Sequence, residues 1–145
     1  MTEITLPENA DDMFCHAIYS TWHVVNRAYK KHLSPLGLTY PQYITLTLLW
    51  EKDARIVSEL ATGLSMETST LTPLLKRLEA EGLVQRARSK TDERRVVVNL
   101  TEKGRALKAE SRAITACMVQ DTGLEVAELD QLVGLLHKMR GGFKG

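Results

Sequence analysis

The sequence predicts a mainly α-helical fold with one small β-hairpin, the arrangement of a winged helix-turn-helix with further long helices at its N- and C-terminal ends. Three observations lead there. Apolar residues recur at spacings of three and four along most of the chain. The period changes to two just after Gly82. Between residues 39 and 100 the order is core helix, short helix, turn, amphipathic helix, hairpin.

A first long helix is expected from residue 11 to about 33, on the spacing of Phe14, Ile18, Val25, Ala28, Tyr29 and Leu33, with Pro35 and Gly37 as its stop. Thr39 is placed as the N-cap of a second helix, with Pro41 in the first turn, where a missing N–H costs little. Tyr43, Leu46, Leu49 and Trp50 make that segment apolar around much of its circumference, so it belongs in the core. Residues 56–64 read as a short helix and 63–66 as a turn. The segment TSTLTPLLKRLEAEGLV then carries a buried stripe of Leu71, Leu74, Leu75, Leu78 and Leu83, closed by Gly82. Pro73 is cheap only in a first turn, which favours an N-cap near Ser69 or Thr70. Residues 83–88 and 95–100 alternate, with Val96, Val98 and Leu100 on one face, and SKTDER forms a charged tip between them. Thr101 reads as the N-cap of a further helix running to about Val119, Gly123 interrupts it, and residues 126–139 form a last helix before a frayed GGFKG tail.

The composition excludes several classes. At 145 residues, 43% hydrophobic and 26% charged, the chain is expected to be one ordinary globular domain. No apolar run approaches the roughly 20 residues of a membrane span, and MTEITLPENADD lacks the basic start of a secretory signal, so a cytoplasmic location without membrane contact is expected. His16, His23, His32 and His137 are scattered, and neither a metal site nor a cofactor is expected. Net charge is only +1, so any nucleic-acid binding has to come from a local basic cluster.

Such a cluster is present. Opposite the leucine stripe, Ser69, Thr70, Thr72, Lys76 and Arg77 offer the small hydroxyls and long cations that reach bases and phosphates in a major groove, and Pro73 is expected among the DNA-binding positions. The hairpin adds Arg86, Arg88, Lys90, Arg94 and Arg95 against Asp92 and Glu93. In DERR, Asp92 is expected to hold the Arg94 side chain in a rotamer that projects into a minor groove. Double-stranded operator DNA is therefore the expected partner.

The stretch STLTPLLKRLEAEGLVQRARSKTDERRVVVNLTEKGRAL resembles the core of the MarR family of bacterial repressors. The resemblance implies a single domain over residues 1–145 and an obligate homodimer on a pseudo-palindromic operator. Residues of about 11–35 and 102–140 would be dimerisation helices, and about 39–100 a winged-helix lobe. Two terminal helices with apolar faces also need a partner surface on physical grounds.

Two thiols remain, Cys15 and Cys117, too far apart in sequence for a CxxC motif. Cys15 lies near the start of the first helix, one turn before Tyr19, and a helix start favours the reactive thiolate. A small buried hydrophobe is the competing reading. Tyr19, Tyr29, Tyr40 and Tyr43 all fall in the first third of the chain. Tyr29 shares roughly the face of Cys15 but stands some 21 Å along the axis, so only an antiparallel partner helix could bring the two together.

In CxxxY, in RAY at residues 27–29 and in LTYPQY at residues 38–43 the chain is similar to one subgroup of that family, the organic hydroperoxide resistance repressors. The resemblance implies that Cys15 is the peroxidatic thiol, hydrogen-bonded by Tyr29 and Tyr40 of the opposite subunit, with Tyr19 in the same pocket. An organic hydroperoxide would then be the oxidant and loss of DNA binding the output. His16 departs from the subgroup's aromatic or apolar pattern, which bears on pocket polarity. Cys117 is either packing filler or, as in some members, the thiol that condenses with oxidised Cys15 across the dimer. Two other functions fit parts of the sequence. One is a repressor relieved by a non-covalent aromatic ligand. The other is a thiol peroxidase using Cys15, against which stand the basic wing and the lack of a βαβ pattern; an enzyme is not expected.

Overall fold

The computed structural model describes residues 6–144, in two compact units that divide between Lys108 and Ala109. In the first, a short 3-10 turn (Ala10–Asp12) precedes α1 (Phe14–Leu33), α2 (Tyr40–Glu51), β1 (Arg55–Ile56), α3 (Val57–Leu64), α4 (Thr68–Ala80), β2 (Val84–Arg88), β3 (Val96–Leu100) and α5 (Glu102–Ala106). The second is built on α6 (Lys108–Asp121) and α7 (Val126–Lys144). Extended backbone at Met13 starts α1 three residues later than expected from the sequence.

α2 is the central core helix because its polar positions are satisfied locally. Thr39 and Gln42 form a reciprocal capping box, the Gln42 side chain accepting from the Thr39 N–H at 2.9 Å. Fully buried Thr45 donates its hydroxyl to the Pro41 carbonyl at 2.7 Å. Around it Leu33, Leu46, Leu49, Leu60, Leu71, Leu75, Leu78, Val84 and Val98 are fully enclosed. Each such side chain contributes about 1.5–3 kcal/mol of transfer free energy.

The wing is an antiparallel hairpin with Val84 opposite Leu100 and Arg88 opposite Val96. A third strand, absent from the sequence reading, joins its other edge. β1 pairs Arg55 with Val98 and Ile56 with Val97, giving the order β1-β3-β2. Two residues are too short to show alternation. Asp53 fixes this corner, its Oδ1 accepting the N–H groups of Ala54 at 2.8 Å and of Leu100 at 2.9 Å.

α4 begins at Thr68 with Glu67 as N-cap, earlier than the proline suggested, so Pro73 stands inside the helix. An interior proline costs about 3 kcal/mol. Complete burial of Leu71, Leu75 and Leu78 offsets it, while Leu74 is only half-buried. The helix closes in a Schellman motif around Gly82 (φ +76), with Leu83 N–H on the Leu78 carbonyl at 3.0 Å and Gly82 N–H on that of Glu79 at 3.0 Å.

Thr101 caps α5 as expected, accepting the Gly104 N–H at 3.1 Å, but the single helix predicted to Val119 breaks at Leu107. The indole of Trp50 donates to the Gly104 carbonyl at 2.9 Å, competing for the acceptor that the Lys108 N–H would use in an unbroken helix. The last helix extends to Lys144, through residues 141–144 of the tail expected to fray, and Gly145 lies outside the described residues.

Gly104 is where the core tolerates no side chain, because a Cβ there would collide with the backbone carbonyl oxygen of Leu83. Gly104→Ala is expected to lower unfolding free energy by about 1–3 kcal/mol, read from urea denaturation midpoints. An unchanged midpoint would refute this packing account.

Candidate DNA interface and thiol site

α3, the following turn and α4 form the helix-turn-helix. Ser65 makes the turn in the left-handed region (φ 52), its N–H on the Thr62 carbonyl at 3.1 Å and the next N–H, of Met66, on that of Ala61 at 2.9 Å. With the leucine face of α4 buried, Ser69, Thr70, Pro73, Lys76 and Arg77 are exposed and share the outward side. Thr72 is half-buried, and its hydroxyl donates to the Thr68 carbonyl at 3.0 Å. A cleft of about 330 Å³ separates the start of α3 and α4 from the wing, lined among others by Ser58, Thr68, Thr72, Arg86, Arg94 and Arg95.

The cations of the wing divide into two kinds. Lys90, Arg94 and Arg95 are exposed. Arg86 is turned inward to α4, its guanidinium on Glu79 at 3.2 Å and its backbone N–H on the same carboxylate at 2.9 Å. Those hydrogen bonds hold the Glu79 carboxyl below its ordinary value of 4.5. The wing strand is thereby tied to the helix. At the tip, Asp92 pairs with Arg95 at 3.4 Å, not with the side chain of Arg94 as the sequence suggested. The Arg95 N–H closes a turn onto the Asp92 carbonyl at 3.0 Å, bringing that side chain alongside, and Asp92 holds only the backbone N–H of Arg94, also at 3.0 Å.

Cys15 is the second residue of α1 and is exposed, as is Cys117 in α6; both are free thiols. Neither is buried within the single chain. Tyr19, one turn after Cys15, stacks edge-on against His23 with centroids 4.4 Å apart. Tyr29 and Tyr40 come together at 4.9 Å, with Tyr43 at 5.7 Å from Tyr29 and Trp22 at 4.8 Å from Tyr40. Burial, then the neighbouring Tyr40 and Tyr43, pushes the Tyr29 hydroxyl up to about 12, and burial followed by Tyr43 raises that of Tyr40. Both keep their protons at neutral pH and remain hydrogen-bond donors.

A family model described as transcriptional regulator SarA/Rot matches residues 27–111. The regulator TtmR of Methylorubrum extorquens is 42% identical over 92% of this chain and 69% of its own length. The organic hydroperoxide resistance transcriptional regulator of Bacillus subtilis is 36% identical over 89% and 88%. The chain belongs to the MarR-type winged-helix transcriptional regulators. Among solved structures, reduced AbfR bound to DNA, a Staphylococcus epidermidis protein, aligns with a TM-score of 0.78 at 31% identity, over 90% of this chain and 89% of that one. AbfR has also been solved overoxidised on DNA (TM-score 0.69, 32% identity, 86% and 92% covered) and with its disulfide formed (0.64, 31%, 90% and 86%).

Sequence reasoning did not find the structural roles of Glu79, Asp53, Trp22 and Trp50 in this MarR-type regulator. Glu79 lies in α4 and Arg86 in β2, so the period of neither element relates them, and only the turn at Gly82 brings the two together. Because Glu79 is held low, its contribution is complete above its ordinary range and lost as pH falls through the depressed value. Glu79→Gln is therefore expected to have a lower denaturation midpoint than the parent above about pH 5, the gap closing in more acidic buffer. A gap that stays constant down to acid unfolding would count against the ion pair.

Proposed function

We propose that this regulator is a repressor that binds operator DNA as a reduced homodimer and is released when an organic hydroperoxide oxidises Cys15. The observation that carries the reading is an exposed thiol at the second position of α1, in a chain 36% identical to a regulator of organic hydroperoxide resistance. In the dimer expected to form through α1, α6 and α7, the parts of α1 and α7 are supported by apolar side chains left open in the single chain, Phe14 at 57%, Trp22 at 42%, Val126 at 65% and Leu135 at 64% exposure. Tyr29 and Tyr40, still protonated, would reach Cys15 from the second subunit and stabilise its thiolate. Ser69, Thr70, Thr72, Pro73, Lys76 and Arg77 face the major groove, and Lys90, Arg94 and Arg95 the backbone and minor groove, with Asp92 and Arg86 positioning the wing.

The chemistry balances. The thiolate attacks one peroxide oxygen, an S–O bond forms, the O–O bond breaks, and the departing alkoxide takes a proton to become an alcohol. Sulfur is oxidised by two electrons. The resulting sulfenic acid condenses with the Cys117 thiol, forming an S–S bond and releasing water. A disulfide requires Cα atoms within about 7 Å, a constraint strong enough to move helices. In AbfR, an overoxidised form is compatible with DNA, which supports the disulfide rather than the oxygenated thiol as the releasing state.

In an electrophoretic shift assay, stoichiometric cumene hydroperoxide is expected to weaken operator binding by tenfold or more, within the usual range of roughly 5–150-fold for coupled sites. Cys15→Ser should not respond. Cys117→Ser should lose the dimer band on non-reducing gels and stay on DNA after oxidation. Release of Cys15→Ser by peroxide would overturn the sensor assignment, release by an aromatic acid without thiol oxidation would favour a ligand-controlled repressor, and turnover of excess hydroperoxide a peroxidase.

A further inference from the structure

We infer that the outward face of α4 reads an A·T base pair through the Ser69 carbonyl, which Pro73 leaves without a helical partner, together with the apolar ring of Pro73 itself. The inference deepens the DNA-binding reading and rests on α4 being the helix that enters the major groove.

In an α-helix the carbonyl of residue 69 accepts the N–H of residue 73, and proline has none. The preceding carbonyl, of Thr68, is by contrast taken by the Thr72 hydroxyl at 3.0 Å. At about 100° per residue, Ser69 and Pro73 point away from the mean direction of buried Leu71, Leu75 and Leu78, and both are exposed. The freed oxygen projects along the helix toward the proline ring. Thr72, its proton committed to Thr68, likewise offers only lone pairs. Lys76 and Arg77 flank this strip and supply charge for phosphates.

The face thus presents acceptors beside an apolar surface. An A·T pair offers its complement in the major groove, the adenine N6 amine as donor and the thymine methyl as apolar contact. A G·C pair offers an amine on cytosine but no methyl, and turns the guanine O6 and N7 acceptors toward the carbonyl. Pro73 is exposed in a helix interior, so burial of its own ring does not repay its presence there.

The test selects duplexes from a randomised DNA library with the reduced full-length chain and with Pro73→Ala, Pro73→Ser and Ser69→Ala. Competition binding then compares selected duplexes differing by A·T or G·C at single positions. The parent should prefer A·T by about tenfold at one position of each half-site, and should bind more weakly when deoxyuridine removes the thymine methyl there. Pro73→Ala and Pro73→Ser restore the N–H, so the ratio of A·T to G·C affinity at that position should fall to within about twofold. Both should melt at a higher temperature than the parent, which shows them folded. Ser69→Ala keeps the carbonyl and should keep the preference. Full discrimination in both Pro73 variants would overturn the proposal, as would its loss in Ser69→Ala, which would assign the reading to the hydroxyl. Unchanged affinity in Lys76→Ala and Arg77→Ala would remove α4 from the groove, and the underlying reading would fall with the proposal.

Discussion

Burial of Leu71, Leu75 and Leu78 on one side of α4 is the constraint from which the remaining surface follows. Three leucines with no exposure fix the rotation of the helix about its axis, and that rotation decides which polar side chains face outward. The Schellman turn at Gly82 then sends the chain straight into β2, and the Glu79 carboxylate binds both the backbone and the guanidinium of Arg86. Helix and wing are therefore held in one relation, the requirement for a surface that meets a groove and its flanking backbone together.

The thiol region follows a different logic. Where α4 is determined within its own chain, Cys15 stands at the start of α1 and Tyr29 near its other end, packed on Tyr40 of α2, and the three acquire meaning in the proposed dimer. Burial keeps the tyrosine hydroxyls protonated, as donors to a thiolate must be. The proposed sensor and the proposed DNA surface thus use the same chain for separate tasks. The break at Leu107, beside the Gly104 carbonyl that accepts the Trp50 indole N–H, marks where the winged-helix unit gives way to α6.

Much of this was legible in the sequence because its signals are local. Thr39 and Thr101 announce their helices through side chains that bond three residues ahead, and Gly82 marks a left-handed turn. The change of period at Gly82 located the hairpin. What escaped depends on neighbours distant in sequence. The paired edge of β1 needs Val97 and Val98, the α5–α6 break needs Trp50, and the early start of α4 needs a core that outweighs a proline. The ion pair at the wing tip went to Arg95 and not Arg94 because the turn, not the charge pattern, chose the partner. The exposed face of α1 and the positions of both cysteines on helices were readable, whereas the contact between subunits was not, since no single-chain periodicity encodes it.

The account stands or falls on whether the oxidation state of Cys15 sets DNA occupancy. The most direct measurement titrates cumene hydroperoxide into the regulator on a fluorescent operator, following anisotropy while intact-mass and peptide analysis quantify the products at Cys15 and Cys117 in the same samples. The account predicts that DNA is lost in proportion to a Cys15–Cys117 disulfide, one per chain, and returns on reduction with dithiothreitol. Release of DNA with Cys15 still a free thiol, or full occupancy with that disulfide complete, would contradict it.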